Sequence, residues 1–546
     1  MSTFKPSPAQ QAFYDWVAND SGNCILNAVA GAGKTTTILN GIALMRGKVW
    51  FGVYNKKMAD EIKEKLAARS DLRARADFSN KTDRVESSTF HSLGFGIVRG
   101  MTYPNKPEID EKKVNRIVDQ IIAEKEAIAQ QPRDDLKELA PTILQFVSMA
   151  KNRGFVPGNL VRDGLTDWDN VDAWYEMAYK FDIGATLEDD EIGTAINFAR
   201  TVLRKSNADL STIDMDDMVY LPLARKVNLK PWHRFNWVLV DEAQDTNPTR
   251  RALARLVMAG GARFVAVGDP HQAIYGFTGA DNDSLQQIAR AFKAKELPLT
   301  VTYRCPKAVV AHAQQWVSHI TAHESAPEGS VEQLPYGDLM ETLTAIDRAE
   351  YGENAILCRY NKYLVGLCFK MIREGLPAKI EGRNIGEGLI KLATRWKSVK
   401  TVNGLETKLA EYQDREVKKA LAKEQEQRAD RIIDEVATIL TVVERVRSQG
   451  KDRVQDVVDA IEEIFEDNVA GKGLITLCST HKSKGLEWNR VFLLDREALM
   501  PSKMAKQEWQ VEQEINLIYV AVTRAKETLV EVTGVVEEKD PTKGEE

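Results

Sequence analysis

An α/β fold of two domains, each built on a parallel sheet and each interrupted by a helical insertion, is predicted by three features of this 546-residue sequence. Short apolar runs bounded by turn residues alternate with amphipathic stretches, the pattern of strands joined by crossover helices. The alternation stops twice, in segments whose apolar residues recur at helical spacing. After each stop the strands return, so both domains are discontinuous along the chain.

The first strands and helices read in order as "NCILNAV", "TTTILNGIALM", "KVWFGVY" and "KKMADEIKEKLAAR". From about 105 to 200 the spacing is helical, with Val114, Ile117, Val118, Ile121 and Ile122 on one stripe. Strands resume at "FNWVLVDEAQD" (235–245) and "ARFVAVGDP" (262–270), and a second set follows at "NAILCRYN", "LITLCST", "NRVFLLD" and "TLVEVTG". Between about 390 and 470, Ile432, Val436, Ile439, Val443 and Val446 form one helical stripe and Val454, Val457, Val458, Ile461 and Ile464 another. Charges of both signs cover the remaining faces there, which predicts solvated helix surfaces and not a basic binding arm. The expected boundaries place the first α/β domain at 1–100 and 201–296 with its insertion at 101–200. The second lies at 297–388 and 471–535 with its insertion at 389–470, and 536–546 forms a disordered acidic tail.

A net charge of −6 and a pI near 5.9 lend no support to nucleic-acid binding, yet a local basic groove can act within an acidic molecule. The five cysteines stand singly, without the spacing of a zinc or iron–sulfur site, and read as small core residues. The longest apolar runs are strand-sized, so no membrane span is expected. "MSTFKPSPAQQ" has neither a basic nor an apolar leader region, and an intracellular setting is expected.

Chemistry enters at "AVAGAGKT", Ala28 to Thr35. A glycine-rich turn between a strand and a helix, ending in Lys-Thr, is the Walker A phosphate cradle, here with Ala28 in place of the first glycine. Ala28, Val29, Ala30, Gly31, Ala32, Gly33, Lys34, Thr35 and Thr36 are therefore candidate nucleotide-binding residues. Backbone N–H groups and the helix's positive end would face the phosphates, Lys34 would reach the β- and γ-phosphates, and Thr35 would hold Mg²⁺. "WVLVDEAQD" places Asp241 after an apolar strand as a second metal ligand, with Glu242 beside it as the base for the attacking water. Arg304 and Arg524 are not distinguishable by spacing alone from surface arginines. His91 and His481 stand without partners at metal-ligand spacing and predict hydrogen bonding instead.

The ordered series "AVAGAGKT", "STFHSLG", "VDEAQD", "VGDPHQAIYGFTGA", "TYRCP", "STHKSKGLEW" and "LIYVAVTRAK" resembles the UvrD/Rep-like superfamily 1A DNA helicases over roughly residues 6–533. The resemblance implies two RecA-like P-loop domains, 1A and 2A, carrying helical insertions 1B and 2B, with ATP and Mg²⁺ in the cleft between the RecA-like domains. It implies that Gln10 reads adenine, Tyr303 stacks on the base, Glu487 contacts the ribose, Gln272 senses the γ-phosphate, and Arg304 and Arg524 are arginine fingers. For single-stranded DNA it implies a track of Tyr54, Asn55, Thr89, Phe90, His91, Tyr275, Phe277, Arg359, Asn361, Thr480 and His481. Aromatic faces suit stacking on unpaired bases and polar groups suit phosphates. Spacing alone would place Phe90 and Phe277 in the core.

Three features depart from the family's pattern. Thr278 and Thr36 stand where relatives often carry Arg, and the second insertion is short, which predicts a reduced 2B. The resemblance implies 3′-to-5′ travel on single strands and work at single/double-strand junctions, in DNA repair, recombination or replication. Two alternatives remain open. One is a translocase that strips proteins from single strands, because the C-terminal motif is also similar to the F-box DNA helicases. The other is a nucleotide-gated interaction module.

Overall fold

The apolar runs become strands with little access to water, as in Val49–Val53, where every residue is buried. The computed structural model describes residues 5–75, 82–130, 134–184, 187–276, 279, 281, 283–421, 426–466 and 473–536. The chain packs as two units, Met1–Val29 with Gly33–Leu299 and Ala30–Ala32 with Thr300–Glu546. The expected tail, from residue 537 onward, lies outside the described residues.

In the first unit the main strands are β1 (Asn23–Ala28), β2 (Val49–Val53), β3 (Val85–Thr89), β4 (Phe235–Val240), β5 (Met258–Gly268) and β6 (Ala294–Leu299). They form one sheet in the order β6-β1-β5-β4-β2-β3, parallel at every pairing. Because β6 pairs with β1 from Asn23↔Ala294 to Ala28↔Leu299, the first sheet runs past the expected boundary at 296. "AKELPL" lacks the apolar density of the other strands, and partner geometry decided its state.

The second unit holds β7 (Ser330–Pro335), β8 (Asn354–Cys358), β9 (Ala378–Glu381), β10 (Phe465–Glu466), β11 (Ile475–Ser479), β12 (Trp488–Leu494) and β13 (Ala525–Thr533). Their order is β7-β13-β12-β8-β11-β9-β10, again parallel throughout.

Both helical insertions share a core with their sheet. In the first unit Trp50, Val238 and Phe264 of the sheet belong to the same apolar cluster as Ile117, Ile121, Phe146, Trp174 and Val202 of the inserted helices. In the second, Ile356, Leu477 and Phe492 cluster with Leu405, Val436, Ile439, Val443 and Ile461. The stripes read from the sequence are the buried faces of Lys113–Ala129, Glu426–Ser448 and Val454–Ile464, while exposed ion pairs such as Lys418–Asp414 and Arg431–Glu435 line the outer sides. All five cysteines are buried.

A charge clamp ties the first insertion to the sheet. Asp281, buried, faces Arg153 at 2.8 Å and Arg251 at 3.7 Å, and also accepts from Lys180. Burial alone would raise its pKa, but Arg153 and Lys180 outweigh that and hold the carboxyl at about 2, below the ordinary 3.8. A carboxyl depressed in the folded chain stabilises it above the unfolded pKa and loses that contribution as pH falls toward the folded one. Asp281→Asn is expected to cost on the order of 2–3 kcal/mol at neutral pH. It should also remove part of the stability normally lost between about pH 4 and pH 2. Circular-dichroism melts at neutral and acid pH check this, and an unchanged neutral midpoint would count against the clamp.

Candidate nucleotide site and nucleic-acid interface

β1 ends at Ala28 and the next helix starts at Lys34. In the turn between them Gly31 and Gly33 hold φ of 70° and 72°, left-handed values that a side chain would strain. Gly33 caps the helix without a side chain, and its first turn carries no acidic residue. No cap side chain accepts from the N–H groups at this end, which lie at the positive pole of the helix, so the local fold suits an anion. Thr35 is partly buried and Thr36 exposed.

Acidic side chains gather around Lys34. Its Nζ lies 3.5 Å from Glu242 Oε1. Asp241 follows β4 and is 6% exposed; burial first, then the neighbouring Glu242, push its carboxyl up to about 6, while Lys34 pulls the other way. Glu242 has a left-handed backbone (φ 48°), a conformation costing on the order of 1–2 kcal/mol for a side-chain-bearing residue, and Gln244 Nε2 donates to its Oε2 at 2.6 Å. The strain turns the chain sharply behind Asp241 and sets the two adjacent carboxylates in different surroundings. Asp269, after β5, is also buried; burial raises its pKa and Lys34 opposes. Gln272 Nε2 donates to Asp269 Oδ2 at 2.7 Å, which ties the expected phosphate sensor to this cluster.

Gln10 is buried in the helix Pro8–Asn19. Its Oε1 accepts from Ser7 N–H at 3.0 Å and its Nε2 donates to Thr37 Oγ1 at 2.9 Å, two residues past Thr35. One amide hydrogen and one lone pair remain for another partner.

In the second unit Tyr303 is 44% exposed and lies 4.8 Å from His323 ring to ring. Arg304 Nε contacts Glu487 Oε2 at 2.5 Å, so the expected ribose contact is engaged with an arginine. Arg524 is 1% exposed and donates to the carbonyls of Val520 (2.8 Å) and Leu486 (3.1 Å) and to Thr523 Oγ1 (3.2 Å). Burial, and then Arg304, lower its proton affinity. Among the described residues no carboxylate lies within ion-pair distance of Arg524. Its charge is therefore under-compensated in a dry setting, which an anion would relieve.

The expected DNA residues divide. Tyr54 and Tyr275, both partly exposed, stack at 5.9 Å and 10°. Asn55 and Thr89 are helix N-caps, accepting from Met58 N–H at 2.9 Å and Ser92 N–H at 3.1 Å. Burial lowers the pKa of His91, with help from Arg250, and pushes His481 down to about 3, so both imidazoles favour the neutral form.

Phe90, at 4% exposure, packs edge-on against Trp50 at 5.1 Å, in the core, where spacing alone places it. Arg359 is held by Glu514 (2.9 Å) and Asp430 (3.3 Å), and Asn361 by Asp434 (N–H, 3.0 Å). Both thereby fasten the helix Glu426–Ser448 to β8. Thr480 is fully buried, its hydroxyl without a hydrogen-bond partner among the described residues. Phe277 lies outside the described residues.

Sequence reading missed Asp269, although "FVAVGD" repeats the apolar-strand-then-carboxylate signal of "WVLVD". It also missed Gln244, which braces both Glu242 and the Asp269 backbone (N–H to Oε1, 3.1 Å) and carries no signal of its own.

Residues 9–293 match the UvrD/REP helicase N-terminal domain and residues 335–533 the UvrD-like helicase C-terminal domain. The ATP-dependent DNA helicase Rep of Buchnera aphidicola subsp. Acyrthosiphon pisum is 21% identical, across 93% of this chain and 92% of that protein. The ATP-dependent DNA helicase Rep of Escherichia coli (strain K12) is 26% identical, across 69% of this chain and 55% of that protein. F-box DNA helicase protein 1 of Schizosaccharomyces pombe is 23% identical, across 92% of this chain and 55% of that protein. The chain spans about half the length of several curated relatives that it matches.

Proposed function

Because this chain belongs to the UvrD/REP helicases, we propose that it hydrolyses ATP to move along single-stranded DNA, 3′ to 5′, and to open duplexes ahead of it. The observation carrying this reading is the grouping of Lys34, Asp241, Glu242 and Asp269 beyond an uncapped helix N-terminus.

The N–H groups of Gly31 to Thr35 and the Lys34 ammonium bind and orient the phosphates. Thr35 and Asp241 would hold Mg²⁺, which supplies charge neutralisation at the phosphate oxygens when bound. One carboxylate and one hydroxyl suit a cation that keeps waters and substrate oxygens as its other ligands. Glu242 orients the attacking water and takes its proton at a carboxylate oxygen. Gln272, bonded to Asp269, links the γ-phosphate position to the segment carrying Tyr275. Arg304 and Arg524 stabilise charge on the departing phosphate, and Gln10, Tyr303 and Glu487 hold the nucleoside. The setting is intracellular, on DNA; among the described residues no helix is long and apolar enough to cross a membrane.

ATP turnover measured with and without single-stranded DNA tests the reading. Stimulation by DNA is expected, together with a loss of roughly 10²–10⁴-fold in Glu242→Gln while nucleotide binding persists. Absence of stimulation would overturn it. Duplexes with 3′ or 5′ tails then test direction, and unwinding compared with displacement of a bound protein separates opening from stripping.

A further inference from the structure

The first sheet gathers four side chains past the C-terminal ends of its strands: Tyr54 after β2, His91 after β3, Arg250 after β4 and Tyr275 after β5. Ligands of parallel sheets bind at this edge. The Arg250 guanidinium lies 5.1 Å above the Tyr54 ring, which itself stacks on Tyr275. Its charge also reaches His91, where it adds to burial in favouring the neutral imidazole.

Arg250 sits in the first turn of the helix Pro248–Leu256, where Asn247 Oδ1 accepts its N–H at 2.9 Å. A cation at a helix N-terminus is at the unfavourable end of the dipole. The other arginines of this helix have partners: Arg251 meets Asp281 at 3.7 Å and Gln287 at 2.6 Å, and Arg255 meets Asp163 at 3.2 Å. Arg250 has the Tyr54 face and a 3.5 Å contact to the Asp245 carbonyl, with no carboxylate at ion-pair distance among the described residues. Packing needs do not account for a charge in that position. An incoming anion does, since the guanidinium fork matches phosphate oxygens and the Tyr54 ring face lies beneath it.

We propose that Arg250 is a phosphate contact for the single strand, held in place by Tyr54. This rests on the DNA-translocase reading above. It adds to the track a cation that the sequence motifs do not contain, beside the aromatic faces of Tyr54 and Tyr275.

The test is equilibrium binding of the full chain to a fluorescent oligo-dT over a salt series, for the unsubstituted protein, Arg250→Met and Arg250→Lys. Methionine keeps an apolar stem over Tyr54 and removes the charge. Arg250→Met is expected to bind roughly 10- to 100-fold more weakly at low salt. The slope of log affinity against log salt should become shallower by about 0.7, the value for one phosphate contact on a single strand. Arg250→Lys should keep the slope while recovering only part of the affinity, because lysine lacks the planar fork. Thermal midpoints check folding, and should the methionine variant unfold, Arg250→Gln is read in its place.

An unchanged slope in the charge-removing variant overturns the proposal, whether affinity is unchanged or lost through packing. If the unsubstituted protein itself fails to bind oligo-dT, it is the translocase reading that falls. Binding that is normal and indifferent to Arg250 sinks the present inference alone.

Discussion

Lys34→Ala is expected to lower ATP turnover by at least roughly 10²–10³-fold, the loss typical when one preorganised charge donor is removed. Two effects add in that variant. The ammonium no longer meets the charge that moves between the phosphates. It also no longer offsets the acidic cluster: Lys34 pairs with Glu242 at 3.5 Å and opposes the upward pKa shifts of Asp241 and Asp269. Without it, the buried carboxyls of Asp241 and Asp269 lose the cation that opposes their upward shifts, and their protonation is favoured further. Nucleotide affinity should therefore fall together with turnover. Lys34→Met, which keeps the stem, should lose turnover to the same degree, since the charge is the working part. A steady-state ATPase assay with a parallel nucleotide-binding titration decides the matter, and normal turnover in either variant would remove the phosphate role from Lys34.

Arg524→Ala carries the largest expected loss, on the order of 10³–10⁵-fold in turnover, the range associated with arginine fingers. The side chain is almost wholly buried and directs three of its five N–H donors to two carbonyls and a hydroxyl. A buried cation paired only with neutral acceptors is costly in the free protein, and an anion relieves that cost. Arg524→Ala also leaves the Val520 and Leu486 carbonyls short of a donor, so some stability is expected to go with activity. Arg524→Lys separates the two effects. It keeps a charge but cannot reproduce the fork, so turnover should remain low while thermal stability recovers in part. Nucleotide binding that survives alongside lost turnover is the expected signature. Turnover that recovers with stability in Arg524→Lys would assign the residue to packing.

Much of this molecule is legible from residue order. The P-loop announces itself because its chemistry is local: Gly31 and Gly33 are needed where φ is positive, Lys34 must open the helix, and all lie within a few residues. The helical stripes of both insertions are legible for the same reason, since a period of 3.6 is a property of neighbours. Asp241 and Glu242 can be found because a carboxylate pair directly after an apolar strand is a short pattern.

Other features depend on partners far along the chain. The strand Ala294–Leu299 looks like a polar link and becomes part of the sheet only because β1 offers it a free edge. Phe90 sits in a motif associated with DNA, yet Trp50 claims its ring. Arg359 and Asn361 could each have faced a phosphate, but Asp430, Asp434 and Glu514 bind them first, and those partners are 71 to 155 positions away. Arg250 shows the converse, for nothing around it in sequence distinguishes it from Arg251, and its place over Tyr54 marks it out.

The amino-acid order alone determined the α/β class, the nucleotide cradle and the acidic pair, because each is written in contiguous residues whose backbone and side-chain demands are met locally. Tertiary structure decided which aromatic rings are core and which are surface, which arginines are neutralised and which retain a free charge, and how the inserted helices join their sheets. Burial and charge compensation are sums over neighbours in space, and chain order does not carry those sums.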